Sequence, residues 1–498
     1  MTTIEAPTPS TAPPAATPRW LERVDNPYLQ GPYAPVISET RAVELELDAI
    51  GEVPTDLTGA FVRNGPNAVF EPPGPYHWFD GDGMVHAVWF REGRVTYRSR
   101  LVPTRDLAAE WRAGRALFPG VMDRVDPARP IASMKDTANT DLVWHHGRLL
   151  ALWYLCGEPY RLDPVTLEPD GIDDFGGRRR TTVSAHPKHD PRTDELVWFT
   201  LGDVEPPFMT YGVCDPDGTL VHETPIDLPG PRAPHDITIT ANHSILHDFP
   251  LYPDPVILRE HGHRVVRFHR DEPTRFGVIG RREDGVRVRW FEFEPGYVLH
   301  MVNAWEDGDW IVMDGCFQPD PTIRPDPAEG PLASMLAYLR IRAHLRRWRM
   351  NLRTGEAVEE QLDDLNVEFC LPDTGRYGER TRWSYHQHLP LGSRTVDFAG
   401  IVKYDHTDAS SVRWDHPEGW MGSESPFAPR DGARAEDDGY VLSFMSHVDG
   451  RSEVWVFDAT DIASGPVCRV PLPSRVPVGF HAKWITGAQV WGETATAP

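Results

Sequence analysis

Apolar residues in this chain fall in short runs, each broken after a few positions by Gly, Pro, Asp or Asn. Representative runs are Arg148 to Leu152, Leu196 to Leu201, Trp310 to Met313, Tyr440 to Phe444 and Glu453 to Phe457. Runs of this length bounded by turn residues predict β-strands. A loose pattern recurs, in which an apolar strand ends in Asp or Asn, a turn follows and a new strand begins. It appears at Tyr160-Arg161-Leu162-Asp163-Pro164, Val213-Cys214-Asp215-Pro216-Asp217-Gly218, Met350-Asn351-Leu352-Arg353-Thr354-Gly355 and Val456-Phe457-Asp458-Ala459. These read as hairpins of repeated β-units with an irregular period. Two segments predict helices: Asp106 to Leu117, and Leu332 to Arg347 with Leu332, Met335, Leu336 and Leu339 on one face. With no alternation of strand and helix, the pattern points to a propeller or a large sandwich.

Proline supports the same reading. The chain has 49 prolines, about twice the usual share, and that many breaks disfavour long helices. Of 498 residues, 40% are hydrophobic and 25% charged, which excludes global disorder. A net charge of -24 argues against a nucleic-acid partner, which would need a basic footprint. No run of 18 apolar residues exists, so no membrane-spanning helix is expected. The second predicted helix carries Arg340, Arg342, Arg346 and Arg347, with Arg349 just beyond. It reads either as a helix packed on the sheet with a solvated basic face, or as a peripheral contact with a membrane surface. Residues 1–27 read as a disordered Pro/Ala/Thr-rich leader, 28–490 as a single domain and 491–498 as a tail. The five cysteines are scattered without a CxxC pair, which fits a reducing cytoplasm.

Candidate chemistry rests on histidine. Of 21 histidines, His186, His235, His300 and His481 stand in strand-like contexts flanked by turn residues. They span nearly 300 residues with no short-spacing metal motif, so each reads equally as a core or turn histidine. Brought together, four neutral imidazoles would suit Fe(II), Zn or Cu, and a propeller axis is a place where they could meet. No GxSxG, GxGxxG or P-loop is present, and Asp80-Gly81-Asp82-Gly83 lacks the Glu that would complete a calcium loop.

The stretch Phe61-Val62-Arg63-Asn64-Gly65-Pro66-Asn67, followed by Tyr76-His77-Trp78-Phe79-Asp80-Gly81-Asp82-Gly83-Met84-Val85-His86, resembles the N-terminal signature of the carotenoid cleavage oxygenases. This family includes carotenoid, apocarotenoid and lignostilbene dioxygenases. The resemblance continues through Lys135-Asp136-Thr137-Ala138-Asn139-Thr140, Leu149-Leu150-Ala151-Leu152-Trp153, the four histidine contexts and Glu436 to Ser443. It implies an all-β, seven-bladed β-propeller with helical and loop segments capping one face. It also implies Fe(II) on the axis, held by His186, His235, His300 and His481. By the same resemblance Glu368 holds His300, Glu424 holds His481, and the Thr140 methyl partly blocks a sixth coordination position. Phe61 and Trp153 are implied in the substrate tunnel.

One slot departs from the family. Tyr154 stands where relatives place a third glutamate, and the following loop is one residue longer. Either a phenol replaces the carboxylate, or the insertion lets Glu158 reach inward.

The resemblance implies oxidative cleavage of a conjugated C=C bond by O2 into two carbonyl products. Stilbene-cleaving relatives tend to carry a lysine where this chain has Trp153, which favours a carotenoid or apocarotenoid. Cleavage of a stilbene or phenylpropene is the alternative within the enzyme class. A catalytically weakened polyene-binding propeller is the alternative outside it.

Overall fold

In the computed structural model, residues 18–36, 38–45 and 50–492 are described. Seven antiparallel sheets radiate around one axis, with a separate two-stranded ribbon of Leu251–Pro253 and Val266–Phe268. All five runs that the sequence nominates lie within single strands, Arg148–Leu152, Leu196–Leu201, Trp310–Gln318, Gly439–His447 and Ser452–Asp458. The recurring Asp or Asn works as a turn cap. Asp163 Oδ1 accepts from the N–H groups of Val165 and Thr166, and Asn351 Oδ1 from those of Arg353 and Thr354. Each side chain thereby satisfies backbone donors that the hairpin bend leaves over.

Burial falls from the axis outward. Met209–Cys214, a middle strand of its blade, is buried on both faces, whereas the edge strand Ser410–Asp415 is exposed almost throughout. Inner strands are covered by neighbouring blades on both sides, so their sequences are apolar without alternation. The ring closes twice. Ala482–Thr486, near the C-terminus, pairs with Gly59–Arg63 in the first blade. Ile50–Gly51 pairs with Pro466–Pro471 in the last. Each closing strand also removes a sheet edge.

One mouth of the axis is covered by an apolar cap. Trp20, Tyr28, Tyr33, Trp78, Met335, Leu336, Leu339, Phe398 and Phe480 are buried in one cluster, drawn from the N-terminal segment and several loops. This corrects the expected leader. Within the described part of it, Trp20 and Leu21 are buried, and Arg19–Arg23 forms a short 3-10 helix. Residues 1–17 lie outside the described residues. At the other end the helix Gly487–Trp491 extends one residue into the expected tail.

The two predicted helices are both shorter than expected. The first runs Arg105–Ala113, capped by Thr104, and stops at Gly114 in the left-handed region. The second is only Ala333–Tyr338, and the arginine-rich part is the strand His344–Asn351. Arg346 pairs with Glu359 and Arg347 with Asp314, while the Arg349 guanidinium lies over the Trp310 ring. Leu336 and Leu339 are buried in the cap. The segment therefore has no free apolar stripe for a membrane surface. Among the described residues no helix is long and apolar enough to cross a membrane.

Leu336→Ala should cost about 2–5 kcal/mol, the range for emptying a buried leucine site. A clear fall in the thermal unfolding midpoint is expected. An unchanged midpoint would place Leu336 outside the core.

Candidate metal centre

Each blade sends one polar group toward the axis from, or just before, its leading strand. In chain order they are Thr140-Asp141 beside Asp141–His145, His186 before Lys188–His189, His235 before Thr238–Ile239, and His300 in Tyr297–Asp307. Glu368 follows in Val367–Leu371, Glu424 before Phe427–Pro429, and His481 before Ala482–Thr486. Two of these strands break their regular pairing at the site. The ladder shifts register between Val298 and Met301, around His300, and between Glu368 and Leu371. Phe369 takes a left-handed φ of 51° in the second irregularity. Bulges of this kind re-aim side chains, and here Glu368 bonds an axial imidazole while the Phe369 ring lies against two of them.

All four imidazoles are buried, and one nitrogen of each lies within 4.8 Å of those of the others. His186 Nε2 and His235 Nε2 face each other at 3.1 Å, and His300 Nε2 is buried without a hydrogen-bond partner. The opposite nitrogens are held from behind. His481 Nδ1 donates to Glu424 Oε1 at 3.0 Å, and His186 Nδ1 to Asp141 Oδ2 at 3.0 Å. His300 Nδ1 donates to Glu368 Oε2. A carboxylate only accepts, so each Nδ1 carries the proton and each Nε2 presents a lone pair inward.

Electrostatics favour a cation at the point where these lone pairs meet. Burial, then the neighbouring imidazoles, holds His186, His235 and His481 well below the ordinary histidine pKa, so they are neutral. His300 behaves differently: burial opposes its protonation, but Glu368 outweighs this and raises its pKa. Burial lifts Glu424 to about 7. Lys483, 3.0 Å from Asp141 Oδ1, has its pKa raised because Asp141 and Glu424 outweigh the cost of burial. Asp141 pairs with Lys483, while Glu368 and Glu424 back His300 and His481, so carboxylates crowd the buried region behind the inward nitrogens. An ion about 2.1 Å from each imidazole nitrogen sets adjacent donors about 3.0 Å and opposite donors about 4.2 Å apart. The 3.1 Å separation of His186 Nε2 and His235 Nε2, with every other donor separation within 4.8 Å, accommodates such an ion. The orphaned His300 Nε2, the three imidazoles kept neutral by burial and the carboxylates behind the rings fit a divalent metal.

A profile of the family described as retinal pigment epithelial membrane protein matches residues 33–486. The chain is 35% identical to a carotenoid 9,10(9',10')-cleavage dioxygenase of Crocus sativus, covering 94% of this chain and 90% of that protein. It is 31% identical to an isoeugenol monooxygenase of Pseudomonas nitroreducens, over 93% and 98% of the two chains. The lignostilbene dioxygenase of Pseudomonas brassicacearum has a similar structure, with a TM-score of 0.82 at 28% identity over 93% of this chain and 99% of that one. The chain belongs to the carotenoid cleavage oxygenase family. It shares that family's seven-bladed propeller, and the four nominated histidines converge within it.

This oxygenase departs from the family's carboxylate pattern at His235, which no carboxylate among the described residues hydrogen-bonds. Tyr154 lies nearest the vacant role, with its ring centre 6.3 Å from that of His235 and its buried hydroxyl within the influence of Arg264. Glu158 does not reach inward; it pairs with Arg105 and Arg179. Asp141, which bonds His186 from 45 residues away, escapes the sequence reading altogether. Only its position next to Thr140, at the head of a strand, hints at the axis.

Thr140 is tied to the centre. Its carbonyl accepts from His481 N at 3.3 Å, and its hydroxyl bonds Asn139 Oδ1 at 3.0 Å and Tyr154 N at 3.1 Å. Trp153 lines a cavity of about 560 Å³ and a narrower neighbour that reaches Phe79. Phe79 packs on Tyr154 and Phe480, so this narrower cavity adjoins the aromatic residues around the imidazoles. Phe61, expected in the tunnel, is instead stacked on Phe444 at 4.4 Å in the core between the first and last blades. It sits in Gly59–Arg63, whose residues are all buried within the sheet.

A second compact group, Cys316, Cys370 and His386, has metal-ligating residue types but a different character. Its polar atoms are satisfied by hydrogen bonds. Cys316 Sγ meets His386 Nδ1 at 3.6 Å, His386 Nε2 meets Ser384 Oγ at 2.7 Å, and Cys370 Sγ donates to the His300 carbonyl at 3.6 Å. Burial raises the pKa of both thiols. The group is a hydrogen-bonded part of the core that supports the His300 strand.

His300→Ala should abolish metal retention while circular dichroism still reports the β-fold, because the blades have large cores of their own. Full metal occupancy in this variant would remove His300 from the ligand set. Glu368→Gln should lower activity about 10–100-fold, the usual scale for losing a group that orients a metal ligand. An unchanged rate and unchanged metal affinity would show that Glu368 does not orient His300.

Proposed function

We propose that this protein uses Fe(II) to cleave a conjugated C=C bond of a carotenoid or apocarotenoid with O2, giving two carbonyl products. The observation that carries the reading is the meeting of four buried imidazoles, His186, His235, His300 and His481, three of them held neutral by burial and three backed by carboxylates. Iron(II), when bound there, supplies a centre at which dioxygen reacts with an electron-rich olefin. The protein's own residues bind, orient and keep the site dry. Glu368 and Glu424 fix the tautomer and ring plane of His300 and His481. Thr140, fastened by its hydroxyl, leaves its methyl group as the part that narrows access to the metal. Phe369, 5.0 Å from His300 and 5.2 Å from His481 between ring centres, excludes water from one side, and Phe79, Tyr154 and Phe480 extend the apolar wall. No side chain is required to move a proton in this chemistry; their task is placement.

The wall favours a polyene. Trp153 supplies aromatic area, and the lysine in this region is not free to meet a phenol. Lys135 is held between Asp82 and Glu110, each at 2.5 Å. One observation favours a second reading: the buried Tyr154 hydroxyl near His235, with Arg264 beside it, is a polar group in the wall that could meet an oxygen substituent, as in a phenylpropene or stilbene.

Iron-loaded protein given a panel of carotenoids, apocarotenals, isoeugenol and a hydroxystilbene should consume O2 and form paired carbonyl products from the polyenes, seen by mass spectrometry. Turnover confined to the phenolic substrates would overturn the polyene reading in favour of the second. Tight iron binding without turnover of any of them would overturn the enzyme reading.

A further inference from the structure

The geometry points to Asp141 as the positioning residue for His186, so that the carboxylate missing beside His235 has a counterpart one blade away. This rests on the reading of the four histidines as iron ligands. Three observations carry it. Asp141 is 2% exposed, and its Oδ2 accepts from His186 Nδ1 at 3.0 Å, the same contact that Glu424 makes with His481. Its other oxygen is fixed by Lys483 Nζ at 3.0 Å and Leu142 N at 2.8 Å, so the carboxylate has little freedom to turn away from the imidazole. Three of the four axial imidazoles are then backed by a carboxylate, and His235, with Tyr154 beside it, is the one without.

The chemistry follows from the second nitrogen. A carboxylate on Nδ1–H locks the tautomer that offers Nε2 to the metal, holds the ring plane and makes Nε2 a better donor. Asp141 also supplies one of the negative charges that balance a dication in a buried site. With Asp141 counted, three of the four imidazoles, His186, His300 and His481, have a carboxylate behind them. Tyr154 therefore does not imply a weakened centre.

The competing role is structural: Asp141 could serve only as the counter-ion of Lys483. The two roles separate in a double-mutant cycle read on the metal rather than on turnover. Iron dissociation into excess chelator is measured for the wild type, Asp141→Asn, Lys483→Met and the double variant, with the unfolding midpoint of each metal-free protein as a check on folding. Asp141→Asn should release iron about 10–100-fold faster, and the double variant should stay fast. The visible absorption of the Co(II)-substituted protein should shift in Asp141→Asn, since the field of one ligand has changed. Asp141→Ala repeats the test without an amide N–H aimed at Lys483, should the asparagine variant fold poorly. An unchanged release rate and Co(II) spectrum in Asp141→Asn, or recovery of wild-type retention in the double variant, would overturn the inference. A wild-type chain that retains no iron would instead overturn the ligand reading on which it stands.

Discussion

Imidazole lone pairs aimed at one another in a dry chamber repel unless something positive lies between them. His186 Nε2 and His235 Nε2 lie 3.1 Å apart, and His300 Nε2 is buried with no other partner. Protonating the rings is no remedy for three of them, because burial disfavours the charged form. The carboxylates behind the rings deepen the need for a cation. Asp141, Glu368 and Glu424 are buried, and Lys483 answers one of them. A divalent ion removes the repulsion and satisfies the orphaned nitrogen at once.

The propeller is what makes that concentration of polar groups tolerable. Each blade contributes one group from its leading strand, so no single strand must carry several unsatisfied polar atoms. The rest of each blade is an ordinary apolar sheet, and closure of the ring by Ala482–Thr486 against Gly59–Arg63 places His481 within reach of His186 and His300. The cap then keeps the mouth dry. Phe369 links the layers, since its ring touches His300, His481 and Phe398. Under the proposed function, selectivity would rest on the aromatic wall formed by Phe79, Tyr154 and Trp153.

Much of this was legible in the sequence, and the gaps have physical causes. Strands such as Arg148–Leu152 are plain because burial on both faces leaves an unbroken apolar run. The four histidines were nominated by turn-flanked contexts and by family resemblance, but their convergence is a property of closure that no local pattern contains. His300 and Glu368 sit where the ladder slips register, so alternation could not say which way they point. Asp141 was invisible because its partner is 45 residues away on another blade. Phe61 was misplaced for the opposite reason: a signature residue was read as lining the tunnel when it fills the space between blades. The segment from Leu332 to Arg347 misled through a periodicity that real helix and strand share across a break at Leu339, and its leucines proved to be cap residues.

The central claim is that one dication sits among the four histidines. Anomalous diffraction at the iron edge from crystals of protein grown with Fe(II) tests it most directly. The account predicts a single strong peak bounded by the inward nitrogens of His186, His235, His300 and His481, with full occupancy and no peak at Cys316, Cys370 and His386. A peak at the cysteine group, or none within reach of the four imidazoles, would contradict it.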